Sequence, residues 1–128
     1  MDSSLWILYL RRNPPPEIVR RVRNWLDAGR VAITEVIKLE LLPGCRTEAE
    51  FQRLRSTLDA LYQLPPDTTT WTSAARNGFA LHRSGVVVPT ADLLIATVAQ
   101  EAGAELAHAD RHYELMAPHL GLRTIALP

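Results

Sequence analysis

The chain has 128 residues, 47% hydrophobic and 22% charged, which fits one globular domain over residues 1–128 and excludes a fibrous or low-complexity protein. Its 14 basic and 14 acidic residues cancel, so no global field draws it to nucleic acid, although all its basic residues except Lys38 are arginines, whose planar forks suit phosphate oxygens. The lone Cys45 excludes an internal disulfide and a cysteine-rich zinc site, and no export leader and no apolar run near the roughly 20 residues of a membrane span is visible, so a cytoplasmic protein with no membrane partner is expected.

In chain order, Asp2 stands at the entrance to a helix beginning near Ser4. Pro14, Pro15 and Pro16 break the chain and can start, but not continue, the next helix. From Glu17, the residues Ile18, Val19, Val22, Trp25 and Leu26 recur at helical spacing, and Gly29 closes the element. Residues 30–34, with β-branched Val31 and Ile33, read as a short strand, and residues 35–42 as a short helix stopped by Pro43 and Gly44. Thr47, with Glu50 three positions on, reads as the capping box of a helix whose Phe51, Leu54, Leu58, Leu61 and Tyr62 form one apolar stripe. After Pro65 and Pro66 a helix starts near Thr70 and ends near Gly85. Residues 86–88 make an extended approach to Pro89, and Thr90 is the expected N-cap of a helix that Gly103 closes. Residues 104–107 and 123–127 are the last strands. Short strands alternating with helices predict an α/β fold with a mostly parallel sheet. Trp6, Trp25 and Trp71 occupy helix-periodic positions and are expected in the core.

Open parallel sheets bind ligands beyond the carboxyl ends of their strands, so polar residues at strand-to-helix junctions are the candidates. Asp2, Asp92 and Asp110 fall at such junctions, and Glu40 lies among the apolar Leu39, Leu41 and Leu42. Taken singly, each aspartate equally suits a helix start, where it accepts from free backbone N–H groups, and Glu40 suits a solvated helix turn.

Taken together, four segments carry a pattern. Asp2-Ser3-Ser4-Leu5-Trp6-Ile7, Leu39-Glu40-Leu41-Leu42-Pro43-Gly44, Val88-Pro89-Thr90-Ala91-Asp92-Leu93-Leu94-Ile95-Ala96 and Leu106-Ala107-His108-Ala109-Asp110-Arg111-His112-Tyr113 resemble, in order and separation, the acidic motifs of PIN-domain ribonucleases of the VapC toxin type. The resemblance spans essentially the whole chain. It implies a three-layer α/β/α sandwich around a short, mostly parallel central sheet. It implies that Asp2, Glu40, Asp92 and Asp110 form one catalytic pocket binding Mg²⁺ or Mn²⁺, with Asp110 completing the cluster directly or through water and Ser4 orienting Asp2 or the bound water. Hard cations prefer such oxygen ligands, and a bound water becomes acidic enough to attack a phosphodiester. The implied function is a metal-dependent endoribonuclease toxin, with RNA as substrate, a cognate antitoxin as inhibitor, and a homodimer as the assembly.

Three details qualify the pattern. His108 stands where the family often has threonine or serine, and a hydrogen-bonding role is expected of it; His82, His112 and His119 read as incidental. Arg11, Arg12 and Arg46 are candidates for holding phosphate because they fall in loops near the motifs. Family members carry several apolar residues ahead of the first aspartate, whereas here only Met1 precedes Asp2, so an incomplete first strand and a weakened metal site are expected. A housekeeping RNA-processing nuclease and a catalytically weakened interaction module are the alternative functions.

Overall fold

Capping chemistry fixes most helix boundaries in the computed structural model, which describes residues 1–127. Asp2 caps α1 (Ser3–Leu10), its carboxylate accepting from the backbone N–H groups of Ser4 and Leu5. Pro16 opens α2 (Pro16–Asp27) at a position whose N–H would have no helical partner. β1 (Ala32–Ile33) leads into α3 (Glu35–Leu41) and a 3₁₀ turn, Leu42–Gly44, after which comes the half-buried Cys45. Thr47 caps α4 (Glu48–Asp59) by accepting from Glu50 N–H at 3.1 Å. The expected capping box is only half formed, because the Glu50 carboxylate accepts from Arg46 N–H at 3.0 Å instead of from Thr47.

β2 (Tyr62–Gln63) follows, then α5 (Thr68–Arg83), which starts in a complete capping box: Asp67 accepts from Thr70 N–H, and the Thr70 hydroxyl accepts from Asp67 N–H. α6 (Thr90–Ala102) has Pro89 at its N-cap, not Thr90; Thr90 is already helical and makes no capping bond. Proline's fixed φ favours this entry over a hydroxyl cap one residue later. β3 (Leu106–His108), α7 (Arg111–Leu120) and β4 (Thr124–Ala126) complete the chain.

The strands form two parallel pairs. Ala32 and Ile33 of β1 face Tyr62 and Gln63 of β2, and Leu106, Ala107 and His108 of β3 face Thr124, Ile125 and Ala126 of β4. The helices cover these pairs in the three-layer α/β/α arrangement. α6 is the central helix: Leu94, Ile95, Ala96, Thr97, Val98 and Ala99 are buried consecutively. Thr97 is tolerated there because its hydroxyl donates to Leu93 C=O at 2.8 Å and accepts from Asn77. The same core holds Leu5 and Trp6 of α1, Ile18 and Val22 of α2, Ile37 of α3, and Tyr113 and Met116 of α7.

Two expectations about aromatic residues fail. Trp71 is 56% exposed, because the α5 face turned to α6 carries Ala74, Asn77 and Gly78. A Cβ at Gly78 would meet Leu93 Cδ2 at 2.8 Å, so glycine sets how closely α5 approaches α6. Tyr62 does not extend the α4 stripe; the helix stops at Asp59 and Tyr62, 72% exposed, belongs to β2. Among the described residues no strand precedes α1. In its place Met1 is buried and Asp2 N–H donates to Ala107 C=O of β3 at 2.9 Å. No helix of the described residues is long and apolar enough to cross a membrane.

Candidate metal centre

Two helix starts bring the most compact polar cluster together. Asp92 lies in the first turn of α6, and Asp110 is the N-cap of α7, where it accepts from His112 N–H at 2.9 Å. That turn swings His112 across to α6. His112 Nδ1 lies 3.0 Å from Asp92 Oδ2 and 3.1 Å from Asp110 Oδ1, and one ligand atom from each of the three residues falls within 4.8 Å of the others. All three side chains are half-buried. Burial pushes the Asp92 carboxyl above the usual carboxylate range, and the facing Asp110 carboxylate adds to the rise; His112 opposes both.

Tyr113, fully buried in α7, donates its hydroxyl to Asp92 Oδ1 at 3.3 Å. Burial first, then the carboxylates of Asp2, Asp92 and Glu40, drive its phenol far above the ordinary range, so it stays a protonated donor. Of the four predicted acids, the Tyr113 hydroxyl bonds Asp92.

The other two acids are held apart from the compact group. Asp2 is 2% exposed and both its oxygens are engaged: Oδ2 accepts from Ser4 N–H at 3.1 Å and from the Ser4 hydroxyl at 2.6 Å, and Oδ1 accepts from Leu5 N–H at 3.0 Å. Ser4 Oγ in turn accepts from Ala109 N–H at 3.0 Å, tying α1 to the turn before Asp110. Glu40, on the exposed face of α3, accepts from the Ser3 hydroxyl at 2.7 Å through Oε1. Asp2 and Glu40 are therefore held by serines of α1, while Asp92 and Asp110 meet through His112. Burial lowers the Met1 α-amino group below the usual range for a terminal amine, against the opposing pull of Asp2.

His108 is structural. Its Nδ1 accepts from Asp110 N–H at 3.3 Å, which leaves the proton on Nε2 to donate to Glu114 Oε1 at 2.8 Å. Arg11 spends its Nε on Asn13 C=O at 3.0 Å, at the protein surface. Sequence reasoning passed over two residues. His112 read as incidental, yet an aspartate N-cap that accepts from the N–H two residues on holds residue 112 beside it, and this was the available signal. The other is Ser3, whose bond to Glu40 joins residues 37 positions apart and leaves no local signal.

Residues 1–117 match the PIN domain family. The chain belongs to that family. Its relatives include Ribonuclease VapC18 of Mycobacterium tuberculosis (strain ATCC 25618 / H37Rv), 29% identical with 97% of this chain and 90% of that protein covered. Ribonuclease VapC51 of the same strain is 33% identical over 94% of this chain and 86% of its own length. In fold, this PIN domain resembles a chain of the VapBC2 complex from Rickettsia felis bound to a DNA fragment from its promoter. The TM-score is 0.80, with 17% identity and 99% and 96% of the two chains covered.

A divalent cation fits the donor set of this PIN domain. Two carboxylates converge from separate helices, their mutual repulsion is only partly relieved by His112, and an imidazole nitrogen is within reach. Oxygen ligands with one imidazole suit Mn²⁺ and tolerate Mg²⁺.

Proposed function

We propose that this PIN domain is a metal-dependent endoribonuclease, the toxin of a toxin–antitoxin pair, with Asp2, Glu40, Asp92 and Asp110 as its catalytic acids. The observation that carries the reading is the meeting of Asp92 and Asp110 at two helix starts with His112 between them. Relatives named as ribonucleases, matched over nearly the whole chain, support the reaction class.

Asp92 and Asp110 would hold the cation, with His112 as a further ligand or as the hydrogen-bond donor that aligns them. Asp2 and Glu40 would complete the acidic pocket. A bound Mg²⁺ or Mn²⁺ supplies an acidified water and neutralises charge on the phosphodiester. The chain's own residues do the rest. Tyr113 donates to one oxygen of Asp92 and so leaves Oδ2 toward the pocket, where His112 meets it. Ser4 locks the Asp2 carboxylate and Ser3 steadies Glu40. An acidic pocket repels RNA phosphate, so RNA enters productively only when the carboxylate charge is neutralised.

The partner follows the same reading. Structural neighbours include VapBC complexes from Rickettsia felis and Salmonella typhimurium, both bound to DNA, which supports an antitoxin partner for this domain. A homodimer is the proposed assembly. The test is incubation of the purified protein with RNA in Mn²⁺, in Mg²⁺ and in chelator, beside Asp92→Ala. Metal-dependent cleavage that drops by at least about 100-fold in the variant is expected for loss of a group acting on the reacting centre. Cleavage that persists in chelator, or in Asp92→Ala, would remove the assignment. Co-expression with the neighbouring reading frame tests the antitoxin, which should copurify and suppress growth arrest.

A further inference from the structure

His112 brings a nitrogen into a pocket otherwise built of carboxylates, and its surroundings decide how that nitrogen is used. Nδ1 lies 3.0 Å from Asp92 Oδ2, and 3.1 Å and 3.3 Å from the two carboxylate oxygens of Asp110. The ring can meet these oxygens as a donor, with its proton on Nδ1. It can also share a cation with them through the Nδ1 lone pair, with the proton on Nε2. Neighbouring ligands of an octahedral ion, each about 2.1 Å from it, stand about 3.0 Å apart, so the spacing that suits the hydrogen bond also suits shared coordination.

The other ring nitrogen is available for the proton. Among the described residues no hydrogen bond engages His112 Nε2, and the side chain is 30% exposed, so water can carry the proton there. His108 is the opposite case: it is buried, its Nδ1 accepts from Asp110 N–H and its Nε2 faces Glu114, so neither nitrogen is left for a cation. The backbone beneath His112 is held on both sides. Its N–H donates to Asp110 Oδ1 at 2.9 Å, and the next residue, Tyr113, is buried with its hydroxyl on Asp92. The ring therefore stands beside both carboxylates before any ion arrives, which is the condition for a precise site.

Resting on the reading of this pocket as a metal site, we propose that His112 Nδ1 is itself a ligand of the cation, beside Asp92 and Asp110, and that it makes the site select Mn²⁺ over Mg²⁺. Mg²⁺ keeps to oxygen donors and water, whereas an imidazole nitrogen is a softer donor that gains more from a first-row transition ion. Asp92 and Asp110 alone offer only carboxylate oxygens, which serve both ions. As the cation enters, the neutral ring passes its Nδ1 proton to Nε2 through water, and its charge does not change.

The test is pulsed EPR of Mn²⁺ bound to the full chain, with ordinary and with ¹⁵N-labelled histidine, beside calorimetric titration of Mn²⁺ and of Mg²⁺. A histidine-nitrogen coupling to Mn²⁺ that shifts on labelling is expected in the parent and absent in His112→Asn. The asparagine amide keeps an N–H donor near the place of Nδ1, so it separates the two uses of the ring. The preference for Mn²⁺ over Mg²⁺ is expected to fall at least about tenfold in this variant. Equal losses for the two ions, or no loss for either, would overturn the proposal by making His112 a donor only. Saturable Mn²⁺ binding without histidine coupling in the parent, a measurement that depends on no variant, would overturn it while leaving the metal site standing. No saturable binding of either ion would remove the proposal and the metal-dependent reading together.

Discussion

Asp92 is the residue at which stability and function are opposed. Its carboxyl binds a proton more tightly in the folded protein than in the unfolded chain, through burial and the nearby Asp110. The native state therefore holds more protons than the unfolded state between the unfolded value near 3.9 and the raised folded value, so this group's contribution to stability falls as pH rises through that window. Asp92→Asn is expected to raise Tm at pH 7 by about 2–4 °C in metal-free buffer, with the gain fading toward acid pH, while abolishing cleavage. A variant less stable than the parent at pH 7 would show that the bonds from His112 and Tyr113 outweigh the repulsion. Ser4 presents the reverse case, since its hydroxyl serves both Asp2 and Ala109. Ser4→Ala leaves Ala109 N–H unpaired, which is expected to cost about 1–3 kcal/mol in chemical denaturation and to weaken metal binding by about 10–100-fold. The serine beside Asp2 was legible in the sequence because the motif places it there. His112 was not, since a histidine two residues beyond an aspartate carries meaning only once that aspartate is known to cap a helix.

Among the elements, the helices were legible and the strands barely so. Helices α2, α4 and α6 announce themselves through apolar spacing and end residues, whereas β1 and β2 are two residues long and leave no periodicity to read. Tyr62 shows the consequence: next to a helical stripe, an aromatic residue reads as one more member of it. Thr90 shows another limit, in that a hydroxyl suited to capping was displaced by the proline before it. The α5–α6 contact depends on Gly78, whose missing Cβ admits Leu93 directly beside Asp92. Gly78→Ala is expected to leave stability within about 0.5 kcal/mol of the parent, because the helix preference gained offsets the displaced end of Leu93. Gly78→Val should cost about 1–3 kcal/mol, since a branched side chain cannot be met by that shift alone. Denaturant midpoints for the two variants that coincide would show that the contact is loose.

For the whole molecule, the sequence conveyed the α/β architecture and the four acidic segments, and it could not convey how the acids divide. Asp92 and Asp110 meet through His112, while Asp2 and Glu40 hang from neighbouring serines, an arrangement set by packing between segments far apart in the chain. A cation binding the folded pocket and not the unfolded chain must raise stability by mass action. Mn²⁺ at about 100 times its dissociation constant is expected to add about 2.7 kcal/mol to unfolding free energy, and the gain should vanish in Asp110→Ala. Thermal scans across a Mn²⁺ series that show no saturable shift would argue against a cation site.

The bond between Ser4 and Ala109 joins residues 105 positions apart, and Asp2 reaches as far to Ala107. The acidic pocket is thus closed by two segments made far apart in time. At about 5–20 residues per second, several seconds separate the synthesis of Asp2 from that of Asp110, so the two segments cannot pair until the later one has emerged. A chain that stops short of Ala107 lacks Asp110 and the backbone partners of Asp2 and Ser4, so the pocket is assembled only once that segment has been made.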